Sequence, residues 1–172
     1  MTARWPAFAA AALLTLTAAC GEDQEQVADT MGSNGSVGSM LLRNVYVTAP
    51  GGDGYEPGDD AAIRLTLVNK SRQDDALTGV RSSHAENVVM RWDRECDGDL
   101  EQVTSIPVLG GDGTVPGADA VYRLELVDLT EKVRAGTTVP VTFTFRDAGE
   151  VRVDAMVEAT HDGDVPAEPD CE

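Results

Sequence analysis

Few side chains in this sequence could do chemistry of their own: three cysteines (Cys20, Cys96, Cys171), two histidines (His84, His161) and five methionines among 172 residues. Thiolate, imidazole and thioether are the soft donors that select copper(I) and zinc. Here they are dispersed. His84 lies in Ser82-Ser83-His84-Ala85-Glu86 and His161 in His161-Asp162-Gly163-Asp164, polar segments in which a lone histidine is ordinarily solvated, with metal binding as the alternative. Met90 alternates with Val88 and Trp92, as a buried strand face does, and is otherwise a soft ligand. Met31 and Met40 fall in a Gly/Ser-rich stretch. The run Asp97-Gly98-Asp99-Leu100-Glu101 has calcium-like spacing but lacks the twelve-residue ligand pattern of a calcium hand, so it reads as a solvated turn.

Catalysis finds little support. No serine sits in a Gly-x-Ser-x-Gly elbow, and no Gly-rich phosphate loop opens a helix, so the chain reads as a non-enzyme. Thirty acidic against thirteen basic residues give a formal charge of −17. With no basic stripe to neutralise phosphates, nucleic acid is excluded as a partner.

The first cysteine carries a location. Arg4 precedes an apolar run from Ala7 to Leu16, small residues follow, and the acidic stretch Gly21-Glu22-Asp23-Gln24-Glu25 comes next, so residues 1–19 read as a signal peptide too short to span a bilayer. Leu16-Thr17-Ala18-Ala19-Cys20 resembles the bacterial lipobox, with Thr17 in the place usually held by an aliphatic residue and Leu16 one position back. Lipid on Cys20 would hold the chain at the extracytoplasmic membrane surface. Cys96 and Cys171 are then left as a pair in an oxidising setting, where a disulfide is the expectation and a thiolate metal site the alternative.

The elements that must position these groups follow from periodicity. Residues 20–40, Gly/Ser- and acid-rich, read as a lipidated cysteine and flexible tether; residues 41–158 as one β-sandwich domain; residues 159–172 as an acidic tail. Candidate strands are Leu41–Thr48, Ala61–Asn69, Ala76–Ser82, Asn87–Trp92, Glu101–Pro107, Ala120–Val127, Thr138–Phe145 and Glu150–Glu158. Ile63, Leu65 and Leu67 share one face, as do Val139, Val141, Phe143 and Phe145, and Val151, Val153, Ala155 and Val157. The fold class expected is all-β, an antiparallel sandwich of cupredoxin or immunoglobulin type.

Within that β region, Leu65-Thr66-Leu67-Val68-Asn69, Asp75-Ala76-Leu77-Thr78-Gly79-Val80, Ile106-Pro107-Val108 and above all Gly136-Thr137-Thr138-Val139-Pro140-Val141-Thr142-Phe143-Thr144-Phe145 with Ala148-Gly149-Glu150-Val151 stand in a familiar order. In these segments the chain resembles the exported copper chaperones called PCu(A)C, cupredoxin-like domains that carry Cu(I) to cytochrome oxidase. The resemblance implies a ligand set of two histidines and two methionines. In this chain those positions hold Arg91, Leu100, Arg123 and Glu125. Arginine keeps its charge and offers no lone pair, so this set does not bind Cu(I) as the family does.

The function expected is that of a cell-surface lipoprotein resembling copper chaperones, assisting copper handling or delivery with a degenerate metal site. The alternative is an interaction module for a protein or envelope partner, using Arg91, Trp92 and Arg123 on the same sandwich.

Overall fold

Strict alternation along Thr138–Phe145 puts Val139, Val141, Phe143 and Phe145 on one side of a strand, and in the computed structural model all four are buried. The structure describes residues 32–95, 97–111, 113 and 122–159. Twelve strands account for its regular structure: β1 (Ser33–Val37), β2 (Met40–Val47), β3 (Gly54–Tyr55), β4 (Ala61–Asn69), β5 (Asp75–Ser82), β6 (Ala85–Trp92), β7 (Glu101–Val103), β8 (Ile106–Val108), β9 (Tyr122–Leu129), β10 (Val133–Arg134), β11 (Thr138–Phe145) and β12 (Gly149–Val157). The all-β class and cupredoxin-like architecture expected from the sequence hold. Among the described residues no helix is long and apolar enough to cross a membrane.

Ten strands form one sheet in the order β7-β6-β9-β4-β2-β12-β11-β5-β8, with β1 added beside β2; β3 and β10 make a separate two-stranded flap. Consecutive strands β7 and β8 occupy opposite ends of that order. Only Thr104 and Ser105 separate them, and so short a link spans at most about 11 Å. The two ends of the sheet are therefore close, and the sheet wraps nearly to closure around its apolar face. Phe143, Leu42, Ile63, Leu77, Leu124 and Leu126 are among the fully buried side chains at its centre.

Three expectations are corrected. The tether does not run to Met40, because Ser33–Val37 is a strand paired with β2. Gly35 permits it: a Cβ there would stand 2.6 Å from Cγ2 of Val153 on β12, so only glycine lets β1 lie this close. The run Glu101–Pro107 is two strands, one pairing with β6 and the other with β5. Among the described residues the ladders are antiparallel except one, since Met156 and Val157 of β12 pair in parallel with Tyr46 and Val47 of β2. Cys20, Cys96, Cys171, Met31 and the acidic tail beyond Ala159 lie outside the described residues, and with them the lipidation, the signal peptide and the disulfide expected from the sequence.

Candidate functional site

β6 and β9 are neighbours in antiparallel register, and that register decides which side chains meet. Met90 opposes Leu124 on the inner face; on the outer face Arg91 opposes Arg123, and Val89 opposes Glu125. Arg91 reaches Glu125 diagonally, Nε to Oε2 at 3.4 Å, with their side chains 38% and 26% exposed. A half-exposed pair at that distance contributes little to stability, about 0–1 kcal/mol. Its consequence is local charge. Three of the four positions that the resemblance assigns to copper ligands are thus brought together on one patch of sheet.

The fourth is not in the ladder. Glu101 pairs with Trp92 and Gln102 with Arg91, so Leu100 leaves the sheet just beyond the end of β6, half-buried in the 93–100 loop. Asp93 shapes that loop: its carboxylate is buried and accepts the backbone N–H groups of Asp97 at 3.2 Å and Gly98 at 2.9 Å, while Asp97 accepts from Asp99 at 3.0 Å. The start of the acidic run is accordingly a turn stitched by the carboxylates of Asp93 and Asp97.

Met90 fills the core at 7% exposure. Trp92, expected at an interaction surface, is instead a core residue at 9% exposure, because it alternates with Arg91 and so points inward with Met90. The guanidinium of Arg94 lies over its ring, 5.0 Å from the centroid. His84 stands at the far end of β6, in the turn from β5. Its Nε2 contacts Glu131 at 3.0 Å and its Nδ1 is 3.3 Å from Ser83 Oγ, while the backbone N–H of Thr130 donates to its carbonyl at 2.9 Å. About six residues of strand, roughly 20 Å, separate this latch from Arg91. Among the described residues no three His, Cys, Asp or Glu side chains converge as a metal site would require.

One participant escaped the sequence. The β4–β9 ladder ends at Ile63 opposite Leu124, both buried, so the next residues, Arg64 and Arg123, emerge together on the outer face. Tyr122, one step further, packs its partly buried ring against the core and donates from its hydroxyl to Leu65 O at 2.7 Å; burial pushes its pKa up to about 12. Arg64 in turn opposes Tyr46 on β2. Burial first, then the nearby Glu158, raises the Tyr46 pKa, and Arg64 pulls it the other way. Only the strand register reveals that Arg64, some thirty residues before Arg91, joins the same row.

A guanidinium row fits no soft cation. Arg91 and Arg123 donate hydrogen bonds and accept none, so Cu(I) placed between them would meet two positive charges and no ligand from either. Carboxylate and phosphate oxygens are what such a row recognises.

A family model described as "Putative lipoprotein LpqE-like" matches residues 40–157. Among solved structures, the copper-bound PCuAC domain from PmoF2 is 25% identical, with a TM-score of 0.56 over 74% of this chain and 98% of that one. The apo PmoF2 PCuAC domain gives 26% identity and 0.56 over 74% and 94%. The apo PCuAC domain from PmoF1 gives 22% and 0.57 over 74% and 99%, a likeness of fold. No curated protein matches the chain.

Proposed function

Because this chain belongs to the LpqE-like lipoprotein family, we propose that it acts as an extracytoplasmic, membrane-anchored binding module, held by lipid on Cys20, which engages a protein partner and does not carry Cu(I) at the positions its copper-chaperone resemblance points to. Signal peptide 1–19, a short tether from Cys20, one β-domain and an acidic tail, tied back by a Cys96–Cys171 disulfide, complete the organisation. The family's lipoprotein character supports the anchor. The observation that carries the reading is Arg91 facing Arg123 across β6 and β9, with Glu125 drawn to Arg91, on the face where the resemblance calls for ligands. The module needs no catalytic group.

The second reading, assistance in copper handling through other donors such as His84, is favoured by the copper-bound PmoF2 domain, 25% identical. One titration separates the two. The tag-free chain beginning at Gly21 is reduced and titrated anaerobically with Cu(I) in the presence of bathocuproine disulfonate. The first reading expects the chelator to keep the copper at every ratio; stoichiometric withdrawal of Cu(I) by the protein would overturn it in favour of the second.

A further inference from the structure

We propose that Met156 is a redox modification site, the thioether at which hydrogen peroxide oxidises the folded domain to a methionine sulfoxide that leaves the fold intact. Ala155 and Val157 are fully buried, and Met156 between them is 42% exposed. The pleat therefore turns its side chain out of the sheet. Leu109 is the other large apolar side chain exposed to that extent among the described residues, and it carries no reactive atom. Met40 and Met90, at 1% and 7%, point into the core. Met156 pairs directly with Tyr46 on β2 and Thr138 on β11, so on the outer face it is flanked by a half-buried ring and an exposed hydroxyl.

A thioether sulfur is a soft, neutral nucleophile that needs no deprotonation. A lone pair on Sδ of Met156 attacks one peroxide oxygen; the S–O bond forms as the O–O bond breaks, and the departing hydroxide takes the proton of the transferred hydroxyl and leaves as water. The sulfur gives up two electrons and the peroxide accepts them, so one peroxide yields one sulfoxide and one water. Peroxide suits this surface because it is uncharged: a chain of formal charge −17 repels anionic oxidants and leaves a small neutral one free to approach. The oxygen of the product is a hydrogen-bond acceptor. On an outward side chain it enters water, whereas at Met40 or Met90 it would be buried without a donor, so oxidation there requires the sheet to open. At Met156 the change is from an apolar group to a polar one beside Tyr46. It is reversible, because methionine sulfoxide reductases restore the thioether, taking two electrons from a dithiol and releasing the oxygen as water. The site stands whichever way the Cu(I) titration falls.

The test exposes the chain beginning at Gly21 to hydrogen peroxide and follows its digests by tandem mass spectrometry, which assigns each gained oxygen to its residue and so keeps Met156 apart from Cys96 and Cys171. Met156 should gain one oxygen at least about tenfold faster than Met40 and Met90, with the circular dichroism spectrum unchanged at full conversion. In concentrated urea the three rates should converge. Met156→Leu should abolish this uptake without hastening oxidation of the other two. Methionine sulfoxide reductases with dithiothreitol should return the folded, oxidised chain to its original mass at that residue. Equal rates at the three methionines of the native chain would overturn the proposal. So would a Met156 that reacts only in urea, or one whose oxidation unfolds the domain.

Discussion

Installing the missing donors should convert this face into a copper site. The variant Arg91→His, Leu100→Met, Arg123→His, Glu125→Met places the ligand types of the resemblance on the positions it points to. Residues 91 and 123 are directly opposed, and such pairs hold their Cβ atoms about 4.5–5.5 Å apart, close enough for two imidazoles to share one ion. Position 125 is two residues further on the same face. The native obstacle can be sized. A guanidinium about 5 Å from the ion costs about 3 kcal/mol at an effective dielectric of about 20; two of them against one carboxylate leave about 3 kcal/mol, a penalty of roughly 200-fold before any bond is counted. The variant removes that penalty and adds three or four soft bonds. Competition against bathocuproine disulfonate should therefore show one Cu(I) held per variant chain and none per native chain. Since Leu100 lies off the ladder, the triple variant lacking Leu100→Met should keep most of the gain. A folded variant that withdraws no copper would refute the geometry; equal withdrawal by the native chain would refute the charge argument.

Other consequences concern stability. Asp75 is buried and accepts from the backbone N–H groups of Asp147 and Ala148, both at 3.0 Å, tying β5 to the β11–β12 turn. Asp75→Ala should cost about 3 kcal/mol in urea unfolding, and a loss under 0.5 kcal/mol would show the turn to be held otherwise. Tyr122 keeps its proton to about pH 12 when folded, against 10 when unfolded, so the stability it lends is complete below pH 10 and falls by about 2–3 kcal/mol as the pH rises to 12. Tyr122→Phe should flatten that fall, leaving the smaller slope of Tyr46 and Tyr55, whose pKa values burial also raises; an unchanged profile would contradict it. Gly35→Ala drives a methyl into Val153 and should destabilise by about 1–3 kcal/mol, largely recovered in the double variant with Val153→Ala; strict additivity in that cycle would mean the two do not touch.

The strands that could be read from the sequence are those whose burial follows the pleat. Ala61–Asn69 and Thr138–Phe145 coincide with β4 and β11 because each presents a continuous apolar face to the core. β1 had no such signal: its Ser and Gly residues show no apolar alternation and gain their place from the ladder with β2, the Ser33 Oγ bond to Asp154 O and the close approach of Gly35 to β12. The break within Glu101–Pro107 was hidden because both halves alternate well, and only the wrapped sheet needs them at opposite ends. The site was legible to the same extent. Arg91, Arg123 and Glu125 could be chosen from flanking residues, whereas Arg64 becomes their neighbour through a register between strands that one sequence does not display. Trp92 looked available to a partner by type, but alternation with Arg91 had already turned it inward.

The proposal that an arginine face stands where the resemblance calls for copper ligands is tested most directly on the protein as the cell makes it. The full-length chain, produced with copper in the medium and extracted in mild detergent under anaerobic conditions from the membranes on which lipid at Cys20 would hold it, is assayed for metal by mass spectrometry alongside the four-residue variant. The account predicts copper far below one per native chain and close to one per variant chain; one copper per native chain, retained against chelator, would contradict it.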